Sequence, residues 1–277
     1  MTVALLLCLA ATPSGVVLKA PGGFVVFNGD GKVAQRISRP GGRIAEALAF
    51  SPDGKWQAFT SFDAEAQQPL LYKVRTEQGS VAELAGRPFG FHDSPTFSHD
   101  GRYIFFVHHP KRDGGPPMVH GMRAWAQLWR VPTAGGAPEQ LTTSEGCKMH
   151  PEALGPSGVL YTHSTCAGDA SVEAVSDGRI RSFAQPLGVK HFRLPRIAPD
   201  GKSYAAVGDS SDSIVVFACS FNGECREVAR LPNGRSPRQV GWLSSARLLV
   251  QMDLHVVEVN LVSQSTRLLA QLDEVLP

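Results

Sequence analysis

The sequence predicts an all-β fold: a six-bladed β-propeller with four antiparallel strands in each blade. Three observations predict it. The stretch "FSPDGKWQAFTS", Phe50 to Ser61, places an Asp-Gly turn between two short apolar flanks, the pattern of a β-hairpin. The same text returns along the whole chain at a spacing of 39 to 57 residues, the period of a propeller blade. A second strand–turn–strand unit comes after every copy.

The hairpin has a local cause. Asp53 can bond its own backbone, Gly54 takes a positive φ without steric cost, and Pro52 sets φ for the first turn position. After the turn, Trp56, Ala58 and Thr60 alternate with Gln57 and Phe59. The other copies are "ATPSGVVLKA" from Ala11, "FSHDGRYIFFVHH" from Phe97, "LGPSGVLYTHS" from Leu154, "IAPDGKSYAAVGDS" from Ile197 and "WLSSARLLVQMD" from Trp242. Their turn residues, Gly15, Gly54, Gly101, Gly158, Gly201 and Ala246, are 39, 47, 57, 43 and 45 residues apart. The second halves run from "GFVVFNGDGKVAQRIS" through "PLLYKVRTEQGSVAELAG" and "QLWRVPTAGGAPEQLTT" to "LHVVEVNLVSQSTRLLA". Each repeat therefore carries an inner, a second, a third and an outer strand, and six repeats fill residues 1–277 as one domain.

Composition agrees. The chain is 43% apolar and 19% charged, with 28 Gly and 20 Pro, a globular and turn-rich profile. A net charge of +2 argues against a nucleic-acid surface. No apolar run reaches the roughly 18 residues a membrane span needs. No G-x-S-x-G elbow, Walker motif, dinucleotide fingerprint or C-x-x-C is present, and "FNGDGK" lacks the later ligands of a calcium loop.

The repeats resemble the TolB-type propeller family, whose signature is an "(F/W)-S-P-D-G-(K/R)" hairpin followed by an "L-(Y/W)-x-V-x-x-G-G-x-x-x-x-L-T" hairpin. "FSPDGKWQAFTS" and "LWRVPTAGGAPEQLT" carry the likeness. It extends over essentially the whole chain. It implies the propeller fold and a non-catalytic module that binds a protein or peptide in cell-envelope complexes. Some propellers of this type are oligogalacturonide lyases with histidines and a metal in the channel, so the alternative it implies is a metal-dependent, lyase-like enzyme. Fold alone does not choose, because function sits in grafted sites.

The N-terminal "TVALLLCLAA" has two readings. It matches the apolar core of a secretory signal, without a basic start, and it also stands where the inner strand of blade 1 is expected over residues 1–12. The first reading makes the protein periplasmic or secreted, with blade 1 borrowing a strand from "QLDEVLP"; the second makes it cytoplasmic. Cysteine usage favours an oxidising compartment. Cys147 and Cys166 lie symmetrically about the Pro156-Ser157 turn and are expected to face each other, and Cys219 and Cys225 flank a tight loop at Asn222-Gly223. The chain is expected to be monomeric.

Candidate site residues come from topology. Residues entering the inner strands converge at one mouth of the central channel. These are His92, Asp93 and Ser94; Lys148, His150 and Glu152; Lys190, His191, Arg193 and Arg196; Arg235, Ser236, Arg238 and Gln239; and Arg43 with Glu46. Convergence of polar groups from separate blades is how ligand sites are built. His92, His150 and His191, with Asp93 or Glu152, have the chemistry to hold a divalent metal, although their offsets to the next proline differ. The mixed Arg and carboxylate rim suits an anionic ligand or a peptide terminus. The interval from Gly101 to "LWRVP" is 27 residues, against 16 and 13 in the second and fifth repeats. The excess predicts an inserted loop over residues 108–127 on the same face, with His120, Arg123 and Trp125 as contact residues.

Overall fold

In the computed structural model, residues 15–65, 68–76, 78–85, 91–109, 126–165 and 169–275 are described. They form six antiparallel sheets arranged as a ring, a six-bladed β-propeller. Blade 1 contains β1 (Val16–Ala20), β2 (Gly23–Phe27) and β3 (Val33–Ile37). Blade 2 contains β4 (Ala45–Phe50), β5 (Trp56–Asp63), β6 (Gln68–Arg75) and β7 (Gln78–Glu83). Blade 3 contains β8 (Phe91–Phe97), β9 (Tyr103–His109), β10 (Gln127–Pro132) and β11 (Glu139–Gln140). Blade 4 contains β12 (Cys147–Leu154), β13 (Gly158–Ser164), β14 (Ala170–Ser176) and β15 (Arg179–Ser182). Blade 5 contains β16 (Lys190–Ile197), β17 (Ser203–Asp209), β18 (Ser213–Ser220) and β19 (Cys225–Pro232). Blade 6 contains β20 (Pro237–Ser244), β21 (Arg247–Met252), β22 (His255–Asn260) and β23 (Ser265–Gln271).

Within each blade the strands pair in chain order, and the first strands of successive blades touch around the ring. Blade 1 has three strands among the described residues, and its β1 contacts both β4 and β20, which closes the circle. The expected inner strand or signal at 1–12 lies outside the described residues. Among its described residues, the C-terminal stretch does not supply a strand to blade 1. Gln271 ends β23, Leu272–Val275 form one helical turn (α1), and Leu272 is buried against Val16, Leu18 and Val256 where blade 6 meets blade 1. Packing at this seam is close: a Cβ on Gly241 would come within 2.3 Å of a Val16 methyl.

The turn chemistry is as the residues demand. Ser51 Oγ donates to Asp53 Oδ1 at 2.6 Å and accepts from the Trp56 amide at 2.9 Å, while the Lys55 amide donates to Asp53. Ser98 and Asp100 repeat the arrangement in blade 3. These bonds hold the Asp53 carboxyl below the ordinary carboxylate range, and that of Asp100 at about 2. In blade 5 Ala198 stands where the serine would be, and the Lys202 amide still donates to Asp200.

Period-two alternation is weak in the second strands, because both faces of a blade are covered. Five consecutive residues, Gln57 to Ser61, are all buried. Six apolar clusters, one between each pair of neighbouring blades, form the core, for example Leu71, Ala58, Ile104 and Phe106 between blades 2 and 3. A closed ring of such interfaces leaves each sheet without an open face.

Cys219 and Cys225 are directly paired across β18 and β19, with Cα atoms 4.1 Å apart, and form a disulfide. Cys147 is buried and stands opposite Ser164, one position from where it would stand without the bulge in β12; Cys166 lies outside the described residues. Of the expected loop 108–127, the two ends are strand. His108 and His109 belong to β9 and Gln127 to β10, because the ladder continues to the pair His108–Gln127. His120, Arg123 and Trp125 lie outside the described residues.

Candidate functional site

The inner strands share one irregularity. Each of β4, β8, β12, β16 and β20 carries a bulge in its pairing with the second strand. The extra residues are Glu46 in blade 2, Ser94-Pro95 in blade 3, His150-Pro151 in blade 4, Leu194-Pro195 in blade 5 and Arg238 in blade 6. In blades 3 to 5 the residue before the proline is left-handed, with φ of 49° at Ser94, 52° at His150 and 57° at Leu194. Proline fits where the ladder is interrupted, since it has no amide to donate. A bulge twists the strand and re-aims its side chains. Here the effect is to turn a ring of polar groups toward the axis.

They line a cavity of ≈ 700 Å³ in the mouth of the channel. Glu46, Asp93, Ser94, His150, Arg196, Arg238 and Gln239 reach it from the inner strands. Lys19, Gln251 and Asp253 reach it from the second strands of blades 1 and 6 and the turn after β21. Its charges are largely paired. Lys19 Nζ donates to Glu46 at 2.5 Å, Arg238 Nε to Asp253 at 3.1 Å, and Arg196 lies 3.4 Å from Glu152. Gln251 ties the seam by donating to the Lys19 carbonyl at 2.8 Å.

Asp93 is different. Its Oδ1 accepts from the Ser94 amide at 2.6 Å, and it joins no ion pair among the described residues. Burial raises the pKa of Asp93 and of Glu152, although part of each side chain still meets channel water. For Glu152 the Arg196 guanidinium opposes that rise. Thr162 joins two of the bulges. Its hydroxyl accepts from the Leu194 amide at 3.1 Å and lies 3.3 Å from His150 Nδ1.

The three predicted histidines are not brought together. His150 faces the channel. His92 is 2% exposed and packs edge-on to Phe106, with the His108 ring at 5.3 Å. Burial drives its pKa down to about 3, and that of His108 to about 4. His191 and Arg193 line a separate cleft between blades 5 and 6. The reason is register: a second bulge in β16, at His191-Phe192, sends these side chains away from the axis. Among the described residues, no three His, Cys, Asp or Glu side chains are grouped to hold a metal ion. Lys148 is also removed from the channel; it is fully buried and donates to the Ser144, Glu145 and Gly146 carbonyls.

Alignment on the prolines was the overlooked signal. Pro95 and Pro195 each stand six residues before the turn glycine, and Pro151 stands seven before it. That frame puts Ser94, His150 and Leu194 at one level, whereas the histidines have no common offset. Lys19, Gln251 and Asp253 escaped notice because they come from second strands and a turn.

No family model matches this chain, and no curated protein matches it in sequence. Solved structures do match in fold. TolB from Acinetobacter baumannii is 15% identical with a TM-score of 0.65, over 92% of this chain and 63% of its own. An oligogalacturonate lyase in complex with manganese is 15% identical with a TM-score of 0.64, over 90% and 70%. A chain of a nidogen/laminin complex is 12% identical with a TM-score of 0.66, over 90% of each chain. The chain thus has the fold of propellers that include TolB. Among the described residues no helix is long and apolar enough to cross a membrane.

Proposed function

We propose that this protein is a non-catalytic binding module that receives a segment of a partner protein or peptide at the channel mouth. One observation carries the reading. The mouth cavity has Lys19, Arg196 and Arg238 ion-paired with Glu46, Glu152 and Asp253, and the Asp93 carboxyl, which feels Lys19 only at longer range, joins no ion pair among the described residues. A ligand ammonium or guanidinium, such as a peptide amino terminus or a Lys or Arg side chain, is the group that would complete it.

The surrounding surface supports the same reading. Of the seven exposed large apolar side chains among the described residues, Ile44, Phe62, Leu187 and Leu254 lie on the mouth face by chain direction. An apolar rim around a polar centre suits a protein partner. The chain of a nidogen/laminin complex shows the same fold in a protein assembly. The Cys219–Cys225 disulfide fits an exported protein, periplasmic or secreted.

The test is selection of peptides from a random display library on the immobilised protein. Selected peptides should carry a cationic group and lose affinity about tenfold or more in Asp93→Asn, the scale of one charge-assisted hydrogen bond. Binding indifferent to Asp93→Asn and to Arg238→Ala would overturn the reading. The second reading, a lyase-like enzyme, is favoured by His150 in the channel and by the fold shared with the lyase. Release of unsaturated product from acidic oligosaccharides, lost in His150→Ala, would bring it forward.

A further inference from the structure

A second cleft of ≈ 640 Å³ lies between blades 5 and 6, beside the channel mouth. It is walled by the start of β16, the loop after β17 and the loop before β20. Its chemistry differs from that of the channel. Asp209 is its one acidic side chain, and Asp209 is fully engaged: Arg193 donates to both oxygens, at 2.8 and 3.0 Å. Lys190 and Arg235 are exposed and join no ion pair among the described residues. Two uncompensated cations therefore face one cavity. Ser210, Ser211 and Ser236 add hydroxyl donors.

The cleft is also built, not merely a gap between blades. His191 is held left-handed at a φ of 50°, and the Arg193 guanidinium donates to its carbonyl at 3.1 Å while gripping Asp209. Strained non-glycine backbone persists where its surroundings over-determine it, and such places cluster at ligand sites. On the other side, the Ser236 amide donates to Asp253 Oδ2 at 3.2 Å, which anchors the loop bearing Arg235 to the channel rim. Among the described residues, no Phe, Tyr or Trp side chain lines the cleft.

We infer that this cleft binds a small oxyanion bearing two negative charges, a phosphate group or a dicarboxylate, between Lys190 and Arg235. The inference is independent of what the channel binds. Lysine offers a point charge and arginine a planar fork, a pairing suited to such groups.

The experiment is calorimetric titration of the intact protein with inorganic phosphate and with succinate, each against sodium chloride at matched ionic strength. The comparison protein is Lys190→Ala/Arg235→Ala, two exposed positions, with its unfolding midpoint in chloride as a folding control. Saturable binding of one anion per chain is expected, weakened about tenfold or more in the double variant and unchanged in Asp93→Asn. Binding of phosphate but not succinate, or the reverse, supports the site and assigns its ligand. No saturable binding of either anion, or equal binding by the double variant, overturns it.

Discussion

Asp209 holds the guanidinium of Arg193 with two hydrogen bonds, and the same guanidinium holds the carbonyl of His191. One ion pair thus clamps the extra residue of a bulge. Both side chains are largely shielded, so removing one partner leaves the other without compensation. Asp209→Ala should lower the unfolding free energy by about 1–3 kcal/mol. In a double-mutant cycle with Arg193→Ala, the coupling should exceed about 0.5 kcal/mol by urea denaturation. Additive losses would mean that the pair does not brace the bulge.

Ser94 makes a different prediction. Its φ of 49° suits glycine, and replacement by glycine or by alanine removes the same hydroxyl, which bonds Asp93. Ser94→Gly should therefore be more stable than Ser94→Ala by about 1 kcal/mol, the reverse of the order expected in regular strand. Thermal unfolding of the two variants checks it. Equal midpoints would show that the backbone relaxes freely there.

His92 predicts acid sensitivity. Its native pKa is depressed to about 3 by burial, from an ordinary 6.5, and its Nδ1 has no hydrogen-bond partner among the described residues. Above pH 6.5 the ring is neutral in both native and unfolded chains. As the pH falls below that, the unfolded chain takes up a proton that the native ring refuses, and stability is lost down to the native pKa. The stability–pH slope between pH 6 and pH 4 should drop by about 1.4 kcal/mol per pH unit in His92→Phe. An unchanged slope would show that His92 does not stay neutral there.

The Cys219–Cys225 bridge closes a loop with a sequence separation of only 6. A short loop limits the entropy removed from the unfolded chain, so Cys219→Ala/Cys225→Ala should cost about 2 kcal/mol. The variant should keep the cooperative transition, because five of the six interblade cores are untouched and the one between blades 4 and 5 loses only the two sulfur atoms. Loss of cooperative unfolding would show that the hairpin is needed for ring closure.

The chain alone determined what was local. Asp53-Gly54, Asp100-Gly101 and Asp200-Gly201 each specify a hairpin within a handful of residues, and their recurrence determined six blades and the order of strands within them. Cys219 and Cys225 were legible for the same reason, since their hairpin is tight enough to leave one register. The site needed the tertiary structure. Side chains alternate with a period of two, so each extra residue at Ser94-Pro95, His150-Pro151 or His191-Phe192 moves the rest of its strand to the other face. Which neighbour faces the channel is settled by the pairing: His92 enters the core between blades while Asp93, just before its bulge, lines the channel. Distant residues meet: Lys19 stands beside Glu46, and Gln251 bonds the carbonyl of Lys19, only because the ring closes. Turn chemistry is decided by bonds among near neighbours, and the channel is decided by register and closure, which no short stretch of sequence contains.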